Sequence, residues 1–287
     1  MDVKDKVAMY WRLEENGSIL CELCPHLCKI NPGQRGLCKV RYNAEGVLYA
    51  ANYGKIVSYA YDPIEKKPLN HFYPGTSIFS VGTFGCNLTC KFCQNHELVA
   101  FNGPVAVAND DQVLELAAQN GSIGIAFTYN EPTVWYEYVL DMSKKARTKG
   151  LKTVLVTNGY ISEAPLLELL PFIDAMNIDL KSMTDGFYKA ICGGTLSPVL
   201  RTIEICAKQT HVEVTNLLID GLNSNQDELE AMCSWLANID ANIPLHISRY
   251  FPAHLLDVPK TRLETLEIAC NIAEQHLKNV TIGNAFI

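Results

Sequence analysis

Six short, β-rich apolar runs recur along most of the chain, each separated from the next by a longer amphipathic stretch. They are SIFSVG (77–82), GIAFTY (124–129), KTVLVT (152–157), AMNIDL (175–180), VEVTNLL (212–218) and PLHISRY (244–250). Runs this short and this continuously apolar fit parallel strands covered on both faces. The stretches between them fit helices: 110–119 with an acidic start, 131–148 opening on Glu131 and Pro132, then 162–171, 196–208, 224–238 and 260–276. Parallel neighbours need a crossover, and crossovers are right-handed, so six such units wrap into a sheet with its helices outside. The expected fold is α/β, a partial (β/α)6 TIM-like barrel over 76–287 behind a Cys-rich N-terminal extension and connector over 1–75. Within the extension, 1–45 is dense in cysteine and turn formers, and 46–75 carries short strands (VLYAANY, IVSYAYD) and the polar EKKPLN.

Composition narrows the function classes. Hydrophobic residues make up 48% of the 287, enough for a large core, and the formal net charge of −7 opposes non-specific nucleic-acid binding, so no nucleic-acid partner is expected. No run of about eighteen apolar residues exists to span a membrane. The start, MDVKDKVAMYWRLEENG, has charges where a leader needs an apolar run, so a cytoplasmic location is expected. Eleven cysteines in a cytoplasmic chain argue for metal or redox chemistry rather than disulfides, the more so because seven fall in two tight groups.

The sharper group is GTFGCNLTCKFCQN, directly after the first strand, with Cys86, Cys90 and Cys93 spaced x3 and x2. Gly82, Gly85 and Asn87 give the loop the freedom to wrap around one point. Structural zinc and ordinary iron–sulfur clusters take four ligands, so three thiolates leave a metal position open, as catalysis requires. Zinc completed by His96 or by a distant residue is the plainer alternative. Chemistry in such folds gathers at the C-terminal ends of the strands. There the chain places Asn130-Glu131, Thr157-Asn158-Gly159 and Asp179-Leu180-Lys181. Glu131 could hold an ammonium, or simply serve the helix dipole. Period-two alternation puts Asp179 and Lys181 on one side, fit for a zwitterion or for a structural ion pair. His246, alone on an apolar strand, is by itself most simply a core residue. Arg249 and Tyr250 could face a substrate; His71 and Tyr73 look structural.

Cys-x3-Cys-x-aromatic-Cys after a first barrel strand, with Phe92 in the aromatic slot, resembles the radical S-adenosylmethionine (SAM) superfamily. The ordered set DPIEKKPLNHFYPG, SVGTFGCNLTCKFCQN, TYNEPT, VTNGYI, DLKS and HISRYFP resembles the AmmeMemoRadiSam-system radical SAM enzymes, related to pyruvate formate-lyase activating enzymes, from about Cys21 to Asn284. The resemblance implies the superfamily's barrel, and a [4Fe–4S] cluster on Cys86, Cys90 and Cys93 whose open iron chelates SAM. It also implies reductive cleavage to a 5′-deoxyadenosyl radical, hydrogen abstraction from a substrate, and a flavodoxin- or ferredoxin-type electron donor. It implies SAM contacts at Phe92, Asn130, Glu131, Thr157, Asn158, Asp179, Lys181 and His246: the amino group near Asn130-Glu131, the carboxylate at Lys181, the ribose and adenine against His246. In the activases the residues matching Asp179 and Thr157 lie by a monovalent cation; an acidic residue of that pattern is Val156 here, which argues against the cation.

The second group, Cys21, Cys24, Cys28 and Cys38, has spacings x2, x3 and x9. Zinc and a second [4Fe–4S] cluster both fit four such thiolates, and a cluster there would serve as an electron relay. Cys192, Cys206, Cys233 and Cys270 look like small core residues, Cys192 in ICGG being the one nearest the rim. Three functions stay open: hydrogen abstraction from a small molecule or peptide, glycyl-radical activation of a partner protein, and non-catalytic electron transfer. The intact rim set opposes the last.

Overall fold

The computed structural model describes residues 6–285, so the first five residues of the charged start lie outside the described residues. Six short strands occupy the N-terminal extension: β1 (Lys6–Val7), β2 (Trp11–Leu13), β3 (Ile19–Cys21), β4 (Lys29–Ile30), β5 (Arg41–Ala44) and β6 (Val47–Ala50). They make two three-stranded antiparallel sheets, ordered β2-β3-β4 and β1-β6-β5.

The barrel is one eight-stranded sheet in sequence order: β7 (Ser58–Pro63), β8 (Ser77–Gly82), β9 (Ser122–Phe127), β10 (Lys152–Thr157), β11 (Ala175–Asp179), β12 (His211–Leu218), β13 (Leu245–Arg249) and β14 (Val280–Gly283). From β8 to β14 all neighbours are parallel, and β7 runs antiparallel to β8. The two end strands, β7 and β14, are not paired with each other, so the barrel stays open along one side. The helices are α1 (His96–Val99), α2 (Asp110–Ala117), α3 (Tyr136–Thr148), α4 (Glu163–Leu169), α5 (Asp185–Phe187), α6 (Ser197–Cys206), α7 (Gln226–Asp240) and α8 (Leu263–Glu274). The six expected β-α units are thus present, flanked by β7 and β14 as additional strands.

Local departures have physical reasons. The second strand ends at Phe127 rather than at 129, because Tyr129 takes a left-handed φ of 72° that no strand accommodates. The helix expected from 131 begins as a 3₁₀ turn over Pro132–Trp135, capped by the Glu131 side chain, and becomes α-helical at Tyr136. A π-helical turn, Tyr188–Cys192, follows α5.

Alternation along the strands sorts the core into two. Outward residues such as Phe79, Val81, Ile125, Phe127, Leu155 and Ile178 join the main cluster with the helices. Ile78, Ala126 and Val154 face inward and pack with Ala175 against Ile64, Leu69 and Phe72. The segment after β7 is therefore a strap that fills the lower barrel. Two buried polar groups hold it: the Asn177 amide donates to the Pro68 carbonyl at 2.8 Å, and the Glu213 carboxylate accepts the Asn70 and His71 N–H groups at 3.0 and 2.8 Å.

Candidate active site

Above that layer lies a cavity of about 490 Å³, within the range of small-molecule sites. Cys86, Cys90 and Cys93 line it, and so do Phe92, Asn130, Glu131, Thr157, Asn158, Asp179 and Lys181. Residues as far apart in sequence as Cys86 and Lys181 meet here because each ends a parallel strand or follows one. Among the described residues, no three His, Cys, Asp or Glu side chains are gathered to hold a single ion. The three thiols instead border a space with room for a larger group, and none of the other eight cysteines lines it. A three-thiolate donor set with an open side and adjoining volume fits the cluster and SAM that the superfamily carries.

The loop is held from behind. Gly85 has φ of 86°, and a Cβ there would come within 2.2 Å of Val40 and 2.8 Å of the Cys38 carbonyl oxygen. Only glycine allows the N-terminal extension to press so closely on the loop. Thr89 and Lys91 donate backbone N–H groups to the Cys192 and Ile191 carbonyls at 2.8 and 3.0 Å, which docks the π-helical turn on the other flank. Gly193 and Gly194 allow that contact, since a Cβ would meet Thr89 Oγ1 at 2.3 Å and Leu88 Cδ2 at 2.7 Å. Buried Cys192 neighbours Cys90, and interaction with its thiol pulls the Cys90 pKa down. Burial pushes the Cys86 thiol up, and the Glu131 carboxylate adds to this. Burial also raises Cys93.

Glu131 is 3% exposed, and its carboxylate is fully engaged within the protein: Oε1 accepts Thr133 N–H (2.9 Å) and Thr157 Oγ1–H (2.7 Å), and Oε2 accepts Asn158 N–H (2.8 Å). Burial raises its pKa despite these bonds. Asn130 is engaged likewise, accepting Thr83 N–H at 3.0 Å and donating to the Gly85 carbonyl at 3.0 Å. The Asn158 amide donates to Asn87 Oδ1 at 2.9 Å and reaches Cys86 Sγ at 3.7 Å. Asp179 and Lys181 do pair, Nζ to Oδ2 at 2.9 Å, with the ammonium 5.5 Å from the Phe92 ring centroid. Burial opposes the Lys181 charge, but Asp179 and Cys90 outweigh it and hold its pKa well above the usual value.

Not every expected residue joins the cavity. His246 sits two residues before the cavity-lining Ser248 on β13, hence one layer down, with Nε2 2.7 Å from Glu213 Oε2. Arg249 and Tyr250 turn away: Arg249 Nε donates to the Thr261 carbonyl, and the Tyr250 hydroxyl to the Leu256 carbonyl. His96 stacks on His254, with Nδ1 3.2 Å from the Cys93 carbonyl oxygen. Cys206 and Cys233 are core residues as expected, whereas Cys270 is partly exposed on α8, bonded to Glu274. Unforeseen in the cavity wall are Asp62, Lys66, Lys67, Tyr129, Thr215 and Asn284.

Cys21, Cys24, Cys28 and Cys38 border one small enclosed space of about 20 Å³, with Leu23, Ile30 and Val134 in its wall. Burial lifts the Cys24 pKa to about 12 and raises Cys28 and Cys38. Backbone N–H groups point at the sulfurs: His26 at Cys24, Leu37 at Cys28, Val40 and Arg41 at Cys38. The buried Arg41 guanidinium reaches Cys21 Sγ at 3.8 Å and pairs with Glu137. These donors work against the burial that raises the thiols, without outweighing it. His26 Nε2 lies 2.7 Å from the Asn87 carbonyl oxygen, so the two cysteine groups share a wall.

Among the described residues, no helix is long and apolar enough to cross a membrane. The model of the radical SAM superfamily matches residues 80–236. An uncharacterised protein of Methanocaldococcus jannaschii is 45% identical over 96% of this chain and 84% of its own length. A putative glycyl-radical enzyme activating enzyme of the same organism is 27% identical, over 71% of this chain and 80% of that one. The pyruvate formate-lyase 1-activating enzyme of Escherichia coli is 24% identical over 50% of this chain, which spans 61% of that enzyme. Among solved structures, SuiB of Streptococcus suis bound to S-adenosylmethionine superposes with a TM-score of 0.56 at 13% identity, over 72% of this chain and 51% of that one. The fold, the triad's place on it and these similarities agree: the chain belongs to the radical SAM superfamily and is related to the pyruvate formate-lyase activating enzymes.

Proposed function

We propose that the chain cleaves SAM reductively in the cavity bordered by Cys86, Cys90 and Cys93 and uses the product to abstract a hydrogen atom from a substrate. One observation carries this reading: the three thiols and the Asp179–Lys181 pair open onto the same 490 Å³ cavity. A [4Fe–4S] cluster on the triad would supply the electron that splits SAM into methionine and a 5′-deoxyadenosyl radical. The chain's own part is placement. Lys181 presents a fixed positive charge for a carboxylate, with Asp179 keeping it protonated. Because the Glu131 and Asn130 side chains are engaged elsewhere, the backbone of 128–131 is the wall left to meet an ammonium. Asn158 braces Cys86. Phe92 shields the pair from water at 5% exposure.

The four N-terminal thiols are proposed as a second metal centre. Zinc or an iron–sulfur cluster would suit four such thiolates, and we favour the cluster as an electron relay, to which a flavodoxin- or ferredoxin-type donor would deliver the electrons. Activation of a partner glycyl-radical enzyme is the second reading, favoured by the similarity to activating enzymes.

The test is anaerobic reconstitution with iron and sulfide, then dithionite and SAM, with 5′-deoxyadenosine measured by chromatography. Product from the wild type and none from Cys90→Ala is the expected result. A loaded cluster that yields no product, with SAM shown to bind, would remove the proposal and leave electron transfer.

A further inference from the structure

The cavity wall at the β7 edge carries three polar side chains that neither the triad nor the SAM contacts call upon. Asp62 Oδ2 accepts the Lys67 ammonium at 2.8 Å and the Tyr129 hydroxyl at 2.7 Å. Asp62 Oδ1 lies 3.4 Å from the ammonium of Lys66, an exposed side chain. The Lys67 ammonium stands 4.7 Å from the Tyr129 ring centroid. Lys67 is only 2% exposed, and Asp62 is its one hydrogen-bond acceptor among the described residues. An ammonium has three N–H donors, so two remain without a protein acceptor on a group that borders the cavity.

The backbone is bent to make this wall. Tyr129 holds a φ of 72°, unfavourable for a bulky aromatic residue. Its ring crosses Gly82, where a Cβ would lie 2.7 Å from the Thr128 carbonyl oxygen and 3.0 Å from Tyr129 Cδ2. A structural latch does not require a buried ion pair, since apolar residues of similar volume often close such a gap as stably. Strain maintained beside a reaction cavity points to function.

We propose that Lys67, set by Asp62 and Tyr129, binds a carboxylate of the substrate, so that the hydrogen-atom donor is a monoanionic molecule or the acidic side chain of a peptide. One carboxylate faces two ammonium groups, so the wall carries one positive charge in excess and is complementary to a single negative one. Burial lowers the Lys67 pKa, and the Asp62 carboxylate works against that shift. An arriving carboxylate takes up the two free donors and competes with Asp62 for the third.

The inference rests on the proposed SAM chemistry for what then happens to the bound molecule, but its test does not. Calorimetry on the reconstituted holoprotein, without reductant, would titrate acetate and pyruvate, with methylammonium as the control cation, and SAM separately. Saturable carboxylate binding is expected in the wild type. Lys67→Met weakens it at least ~10-fold, equivalent to about 1.4 kcal/mol. Lys67→Arg restores most of it, and Asp62→Asn, which removes the competing carboxylate, strengthens it. SAM affinity stays within about twofold throughout, well under that tenfold step. A purely structural role predicts that both Lys67→Met and Asp62→Asn weaken binding. That result, a wild type that binds neither carboxylate, or SAM affinity falling in step with carboxylate affinity would overturn the proposal. Carboxylate binding without 5′-deoxyadenosine formation would remove the SAM chemistry and leave this site standing.

Discussion

Glu131 illustrates how a single side chain admits two readings that only geometry separates. Its place at the end of the second strand suits an ammonium acceptor and a helix cap equally. In the fold the carboxylate receives three protein donors, from Thr133, Thr157 and Asn158, and joins the ends of β9 and β10. Glu131→Gln keeps the shape but turns an NH₂ toward at least one of those donors. A buried unsatisfied donor costs about 1–3 kcal/mol, so the variant should unfold at lower denaturant while SAM affinity changes less. Unchanged stability with lost SAM affinity would show that the carboxylate addresses SAM itself. At this scale the triad and the Asp179–Lys181 pair were legible, the first from spacing and the second from strand alternation. The Asp62–Lys67–Tyr129 group was not. Its members lie up to 67 positions apart, and Tyr129 meets Asp62 only through a left-handed backbone that hydrophobic periodicity does not encode.

Among the elements, the strap between β7 and β8 shows what tertiary context adds. EKKPLN and HFYPG carry turn signals and no period, so the sequence marks them as connector. Yet Ile64, Leu69 and Phe72 are the filling of the lower barrel. The deciding partners are inward residues on β11, β12 and β13, two positions below the cavity: Asn177, Glu213 and His246. The alternation that puts Ser248 at the cavity puts His246, for which the resemblance implies a SAM contact, in this layer, held by a carboxylate that no sequence pattern pairs with it. Burial works to raise the Glu213 pKa, but His211, His246 and the His71 N–H more than offset it and bring it to about 2. A depressed acid stabilises the fold above its unfolded value, near 4.5, and the contribution disappears as pH falls toward 2. Denaturant midpoints should therefore decline through that window in the wild type. Glu213→Gln should begin lower at neutral pH and be flatter across the same range. A parallel decline in both proteins would assign the acid sensitivity to other carboxylates.

For the molecule as a whole, the β-α alternation was enough to establish the barrel, because right-handed crossovers leave parallel strands few other arrangements. How the N-terminal extension sits on it was not legible, since that depends on two small sheets docking rather than on any period. The docking is against the triad loop itself. Cys38 and Val40 fill the space that a side chain at position 85 would need, His26 meets the Asn87 carbonyl, and Ser162 N–H donates to the Leu23 carbonyl at 3.0 Å. The extension has only short strands, so metal on its four thiolates would supply much of its folding free energy. A fault there must then reach the triad through Gly85 and Asn87, which flank Cys86. In the Cys86→Ala, Cys90→Ala, Cys93→Ala variant, reconstitution should leave about four iron and four sulfide per chain, the content of one [4Fe–4S] cluster. Stoichiometric zinc instead would make the centre structural, and no metal at all would refute it. In Cys24→Ser, with the triad intact, the remaining cluster should be lost to a chelator several-fold faster than in the wild type, because the wall behind Cys86 has lost its support. Equal rates would mean that the extension rests on the loop without holding it.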